Sequence, residues 1–155
     1  MNLLFDAARE IERFCRQHGW QSCVIGGLAV QRWGEPRQTR DVDLTLLTGL
    51  GDEATYVDLL LRHYEPRIAD AREFALVHRV VLVQARTGIP LDISLGALPY
   101  ESRVISRASM YSFEANADVT TCSAEDLVRA PKGFLHFVKQ PQRFRGGASR
   151  VLREY

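Results

Sequence analysis

Cysteine is scarce in this chain, and so is any long apolar run. Three cysteines, Cys15, Cys23 and Cys122, occur in 155 residues. Their odd number and the lack of metal-ligand spacing exclude a disulfide scaffold and a zinc centre. Reduced thiols in the core of a cytoplasmic protein are expected instead. No hydrophobic stretch approaches the roughly 20 residues that span a bilayer, which excludes a membrane-spanning helix and leaves no membrane partner. Asp6, Glu10 and Glu12 sit within a helical pattern near the N-terminus, which a secretory signal would not carry. Repeats and low-complexity segments are also missing, so a solenoid and a disordered linker protein are excluded.

What is present is an ordinary globular composition, 46% hydrophobic and 25% charged. One domain of this length buries a real core. The net charge of +1 is unevenly spread. Residues 139–155 carry Lys139, Arg143, Arg145, Arg150 and Arg153 against Glu154 alone, a net +4 that leaves −3 elsewhere. The chain therefore divides into a domain over 1–138 and a basic C-terminal tail over 139–155. Such a tail either contacts RNA or is simply solvated.

Apolar residues at helical spacing predict an amphipathic helix over 2–18, stopped at Gly19. A short strand follows over 21–25. Gly26-Gly27 breaks it, and 28–33 makes about two helical turns. Arg40 to Leu47 reads as a strand with Asp41, Asp43 and Thr45 on one face and Val42, Leu44 and Leu46 on the other. Glu53 to His63 reads as a helix buried through Tyr56, Leu59 and Leu60, with His63 a further candidate. His63 and His78 lie in no ligand pattern and are read as structural. Residues 74–85 form a valine-rich strand region, and Thr87-Gly88 turns the chain back into a partner strand over 89–94. A short helix or turn over 99–107 and two strands over 108–113 and 117–121 complete the sheet. Ser123 then caps a helix whose positive end favours Glu125 and Asp126.

The chemistry gathers in two places. A glycine pair opening a helix brings backbone N–H groups against a phosphate. Two aspartates two residues apart on a strand, Asp41 and Asp43, share one face and can share a divalent cation. Acidic residues on a β-prone strand are costly unless water or a cation meets them. Asp92 repeats the pattern between Leu91 and Ile93. Together they suit a site for a nucleoside triphosphate and magnesium, or manganese. Asp41 and Asp43 would supply shared ligands, Asp92 would hold a second ion and take a proton from an acceptor hydroxyl, and the Gly26-Gly27 amides would meet phosphate. Arg37 or Arg40 would add charge on the triphosphate, or pair with a nearby acid at the surface. A glycosyltransferase using Asp-x-Asp needs a larger chain and has no call for the glycine pair or Asp92.

Gly26-Gly27-Leu28-Ala29, then Arg37-Gln38-Thr39-Arg40-Asp41-Val42-Asp43-Leu44, resembles the signature of the DNA polymerase β-like nucleotidyltransferase superfamily. Within it, the chain is most similar to the minimal bacterial group that includes the AbiEii-type toxins. Leu91 to Gly96 and Glu125-Asp126-Leu127 resemble further segments of that group. The resemblance implies an α/β (α+β) nucleotidyltransferase fold, a mixed β-sheet with helices packed on it. It also implies metal-dependent transfer of a nucleoside monophosphate to an acceptor, with release of pyrophosphate. On this chain it makes Asp41, Asp43 and Asp92 the metal ligands and catalytic residues. Gly26, Gly27, Arg37, Thr39 and Arg40 become the nucleotide contacts. Lys132, after the Glu-Asp-Leu segment, matches a lysine thought functional in the toxin group, although here Pro131 and Gly133 flank it. Transfer RNA or another RNA is an acceptor to consider, and a cognate antitoxin a partner. The alternative is a catalytically inactive module of the same fold, acting in binding or regulation within a toxin–antitoxin pair.

Overall fold

The computed structural model describes residues 2–35 and 38–129. The basic tail and Lys132 lie outside them, and so does Arg37. The described residues form helices α1 (Leu3–Gln17), α2 (Gly26–Trp33), α3 (Glu53–His63), α4 (Ala71–His78), α5 (Pro99–Arg107) and α6 (Ala124–Arg129). Strands β1 (Ser22–Ile25), β2 (Val42–Leu47), β3 (Glu65–Pro66), β4 (Val80–Gln84), β5 (Pro90–Gly96), β6 (Ser109–Ser112) and β7 (Asp118–Thr121) form one sheet in the order β3-β4-β5-β2-β1-β7-β6. The sheet is mixed. β2 runs parallel to β5 and antiparallel to β1, and β1 runs parallel to β7.

Alternation along the strands divides the apolar residues between two faces. One face presents Val24, Val42, Leu44, Leu46, Val81, Val83, Leu91, Ile93 and Leu95 to a core shared with α1, α3 and α4. α1 reaches it through Ala7, Ala8, Ile11, Phe14 and Cys15, the helical stripe that the sequence spacing predicts. Each large side chain buried there contributes about 1.5–3 kcal/mol relative to exposure. The other face holds a smaller core of Cys23, Ile25, Ala29, Val104 and Cys122 beneath α2, α5 and α6. All three cysteines are buried and free, and burial pushes the Cys15 thiol up to about 11.

Two segments depart from the sequence reading. Residues 71–78 are helical, not the start of a long strand. Ala71 and Ala75, four apart, give this helix its buried side, whereas Val77 is 67% exposed. The valine run that reads as strand therefore begins one residue after Arg79. Arg79 itself adopts a left-handed conformation, φ 56°, that ends the helix and turns the chain into β4. Its side chain ties that turn to the neighbouring loop, donating to the backbone oxygens of Leu95 and Gly49 and pairing with Glu53. In α3 the buried residues are Val57 and Leu60, while Tyr56 and Leu59 are half-buried and His63 is exposed. His63 lies across the Phe14 ring, with centroids 4.6 Å apart.

Candidate active site

The smaller face of the sheet is also the acidic one. Asp43 and Thr45 of β2 point to it, opposite in parity to Val42 and Leu44. β2 and β5 pair in parallel with Asp43 directly beside Asp92 and Thr45 beside Ser94. Ile25 lies across from Asp43 on β1, and Leu82 lies across from Asp92 on β4. One row thus crosses four strands, Ile25–Asp43–Asp92–Leu82, with two carboxylates adjacent at its centre. Both are almost wholly buried, each 2% exposed.

Asp41 precedes β2 in the chain and is half-buried. The Thr39 hydroxyl donates to Asp41 Oδ1 at 2.9 Å, which holds this third carboxylate in place. One oxygen from each of Asp41, Asp43 and Asp92 can be chosen so that all three lie within 4.8 Å of one another. The sequence expectation placed Asp41 and Asp43 together on the strand; Asp41 instead sits in the bend before it.

The glycine pair closes the other side. Gly26 opens α2 at φ 62°, a conformation that L side chains rarely adopt. A Cβ on Gly26 would overlap the Asp43 carboxylate, and one on Gly27 would overlap the Thr39 hydroxyl. No side chain caps α2 at Ile25. The N-terminal end of the helix, where its backbone N–H groups and dipole favour negative charge, therefore lies against the carboxylates. Thr39 stands at the site with its hydroxyl donating to Asp41. Arg40 is exposed and makes no ion pair among the described residues.

Arg67 is the residue that the sequence does not flag. It follows β3, and its backbone N–H donates to Leu82 O at 3.1 Å, which extends the row to a fifth strand. From there its guanidinium pairs with Asp92 Oδ1. The two residues are 25 apart in the chain and share no motif. Only the register of β3, β4 and β5 brings them together, and strand register is not readable from residue spacing. Burial pushes the Asp92 carboxyl up to about 6, with the Arg67 charge opposing the shift and Asp41 adding to it.

The donor set fits a hard divalent cation. Three carboxylates converge, all ligands are oxygens, and the backbone beside them is stripped to glycine. Asp126, by contrast, is structural in its contacts: it is buried, pairs with Arg107, and shares hydrogen bonds with Ser123 at the start of α6.

No family model and no curated protein sequence matches the chain. The fold is similar to the crystal structure of an antigenic nucleotidyltransferase-like protein from Paracoccidioides brasiliensis, with a TM-score of 0.50 and 13% sequence identity. The match covers 87% of this chain and 72% of that one. The architecture is therefore α/β and nucleotidyltransferase-like, a mixed sheet with helices on both faces. No helix among the described residues is long and apolar enough to cross a membrane.

Proposed function

We propose that the chain is a metal-dependent nucleotidyltransferase that moves a nucleoside monophosphate from a nucleoside triphosphate to an acceptor hydroxyl. The observation that carries this reading is the adjacency of Asp43 and Asp92 on paired strands, with Asp41 beside them and Gly26 pressed against Asp43. A pair of buried carboxylates on an apolar sheet has a large desolvation cost, and a bound cation offsets it.

Asp41 and Asp43 would hold magnesium or manganese, with Asp92 completing the set. Bound there, the ion supplies charge neutralisation for the triphosphate and its pyrophosphate leaving group. The Gly26 and Gly27 amides would cradle phosphate oxygens at the start of α2. The acceptor oxygen would attack the α-phosphorus, the bond from that phosphorus to the pyrophosphate oxygen would break, and Asp92 would receive the hydroxyl proton. Arg40 stands free to meet the triphosphate from the loop before Asp41. Arg37 and Lys132 would have corresponding roles from outside the described residues. RNA, transfer RNA included, is the acceptor class that the basic C-terminal sequence suits.

The Arg67–Asp92 pair, which already engages one of the three carboxylates, favours one other reading, a nucleotide-binding module without turnover; a cognate antitoxin would be its partner. Calorimetric titration with each nucleoside triphosphate and magnesium, alongside pyrophosphate release with RNA acceptors, separates the two. Wild type should bind in a metal-dependent way and release pyrophosphate, and Asp41→Ala/Asp43→Ala should do neither. Nucleotide binding unchanged in the double variant would overturn the carboxylate site. Metal-dependent binding without release on any acceptor would make the chain a module.

A further inference from the structure

Arg67 and Arg79 each pair with a buried or half-buried carboxylate, and their surroundings differ. Arg79 spreads its donors over Glu53, Thr48, Gly49 and Leu95, as a residue that fastens loops together does. The Arg67 side chain has one partner among the described residues, Asp92, and its Nε is buried with no acceptor there. A fastening role would use more of a five-donor fork. The contact set of Arg67 is instead that of a charge delivered to one carboxylate.

The spacing of the acidic cluster bears on what else is delivered. Magnesium takes oxygen ligands at about 2.0–2.1 Å, so ligands of one ion lie at most about 4.2 Å apart by the same geometry. Two ions about 3.5–4 Å apart need carboxylates that reach out to both sides. One oxygen from each of Asp41, Asp43 and Asp92 lies within 4.8 Å of the others, so a closure of at most about 0.6 Å gathers all three on one ion. Oδ1 of Asp92 is already held by Arg67.

We infer that the resting chain takes one divalent cation on Asp41, Asp43 and Asp92, and that Arg67 is a built-in second cation, holding Asp92 where another ion would bind. The inference rests on the metal-site reading proposed above. Arg67 is in these terms a positioning residue: it fixes the Asp92 carboxylate and sets how many ions the cluster admits. Its main chain is fixed by the backbone bond to Leu82, and its guanidinium is planar and more weakly hydrated than a compact cation.

The test is a count of manganese ions on the full chain without nucleotide, by calorimetry and by loss of the free-ion paramagnetic resonance signal. Asp41→Ala/Asp43→Ala serves as the blank for binding elsewhere. Wild type should hold one ion above that blank. Arg67→Gln should admit a second, with affinity within about tenfold of the first, and Arg67→Lys, which keeps the charge, should return the count to one. Two ions of comparable affinity on wild type would overturn the role of Arg67 while leaving the metal site standing. That result needs no variant, so it decides the matter even if Arg67→Gln does not fold. A count of one in a folded Arg67→Gln would overturn it equally. No ion above the blank on wild type or Arg67→Gln would overturn the metal reading, and this inference with it.

Discussion

Gly26 and Asp43 occupy space that a single methyl group would make mutually exclusive: a Cβ on the glycine would fall on the carboxylate. The contact joins the first residue of α2 to the second residue of β2, and it sets the distance between the helix N-terminus and the acidic row. A glycine here meets two demands at once, a φ of 62° and the absence of a side chain.

Gly26→Ala should therefore fail in two ways. The left-handed backbone costs about 1 kcal/mol for alanine, and displacement of Asp43 adds to it, so a loss of about 1–3 kcal/mol in denaturant unfolding is expected. Affinity for manganese should fall at least about tenfold. Gly49→Ala, whose site is open at a similar φ, is the control: it should lose stability only, since no atom lies within 4 Å of its added Cβ. Equal metal affinity in Gly26→Ala and wild type would show that the close approach is unrelated to the site.

How much of this was legible before the structure depends on how far apart the cooperating residues lie. The stripe of α1, the alternation of β2 and the hairpin of β4 and β5 are written in local periodicity. Gly26, Gly27, Asp41 and Asp43 were visible because they fall within one short stretch of sequence, the helix α2, a loop and the start of β2. Asp92 was visible as a carboxylate flanked by apolar residues on a strand. α4 was not, because Val77 stands three residues before the valines of β4 and the helix end between them is made by Arg79's positive φ. Arg67 was not, because β3 is two residues long and its pairing with β4 is a matter of register. The bond from the Thr39 hydroxyl to Asp41 was not readable either, since it depends on the bend before β2.

Binding of an ion to the folded chain alone should appear as stability. At about 100 times the dissociation constant, a single-site ligand adds about 2.7 kcal/mol, a rise of roughly 5–10 °C in Tm for a domain of this size. Differential scanning fluorimetry with manganese should show that rise for wild type and none for Asp41→Asn/Asp43→Asn. A shift that persists in the double variant would place the ion elsewhere.

The Asp92 carboxyl predicts a pH dependence with two signs. Its folded value, about 6, stands above its ordinary value chiefly because of burial, with Arg67 offsetting part of the shift. Folding thus favours the protonated form. The stability contributed by this group without metal is complete below the ordinary carboxylate range and is lost as pH rises through about 6. The loss between pH 4 and 7 is about 2 kcal/mol by linkage. Metal binding runs the other way, since the ion needs the carboxylate, and manganese affinity should weaken as pH falls through about 6. Asp92→Asn removes the group that titrates, so both slopes should flatten relative to wild type. Parallel pH profiles for variant and wild type, in stability and in affinity, would assign the titration to another group.

Asp126 offers the contrasting case of a buried carboxylate whose work is done within the fold. The acids at 125 and 126 read in the sequence as favoured by the positive end of a helix; Asp126 lies on α6 with its oxygens on Arg107 and Ser123. It binds α5 to α6, and Tyr100 Oη reinforces the same junction by donating to Asp126 O at 3.1 Å. Asp126→Asn keeps the shape but removes the charge that Arg107 meets. Breaking a buried pair at one partner typically costs about 3–5 kcal/mol, and Arg107 is 42% exposed, so water recovers part of that. A loss of about 1–3 kcal/mol in unfolding free energy is expected, with manganese affinity within about twofold of wild type. A variant that keeps its stability and loses metal or nucleotide binding would move Asp126 from the scaffold into the site. In that event the α5–α6 junction, not the Gly26–Asp43 contact alone, would have to be counted as part of the nucleotide face.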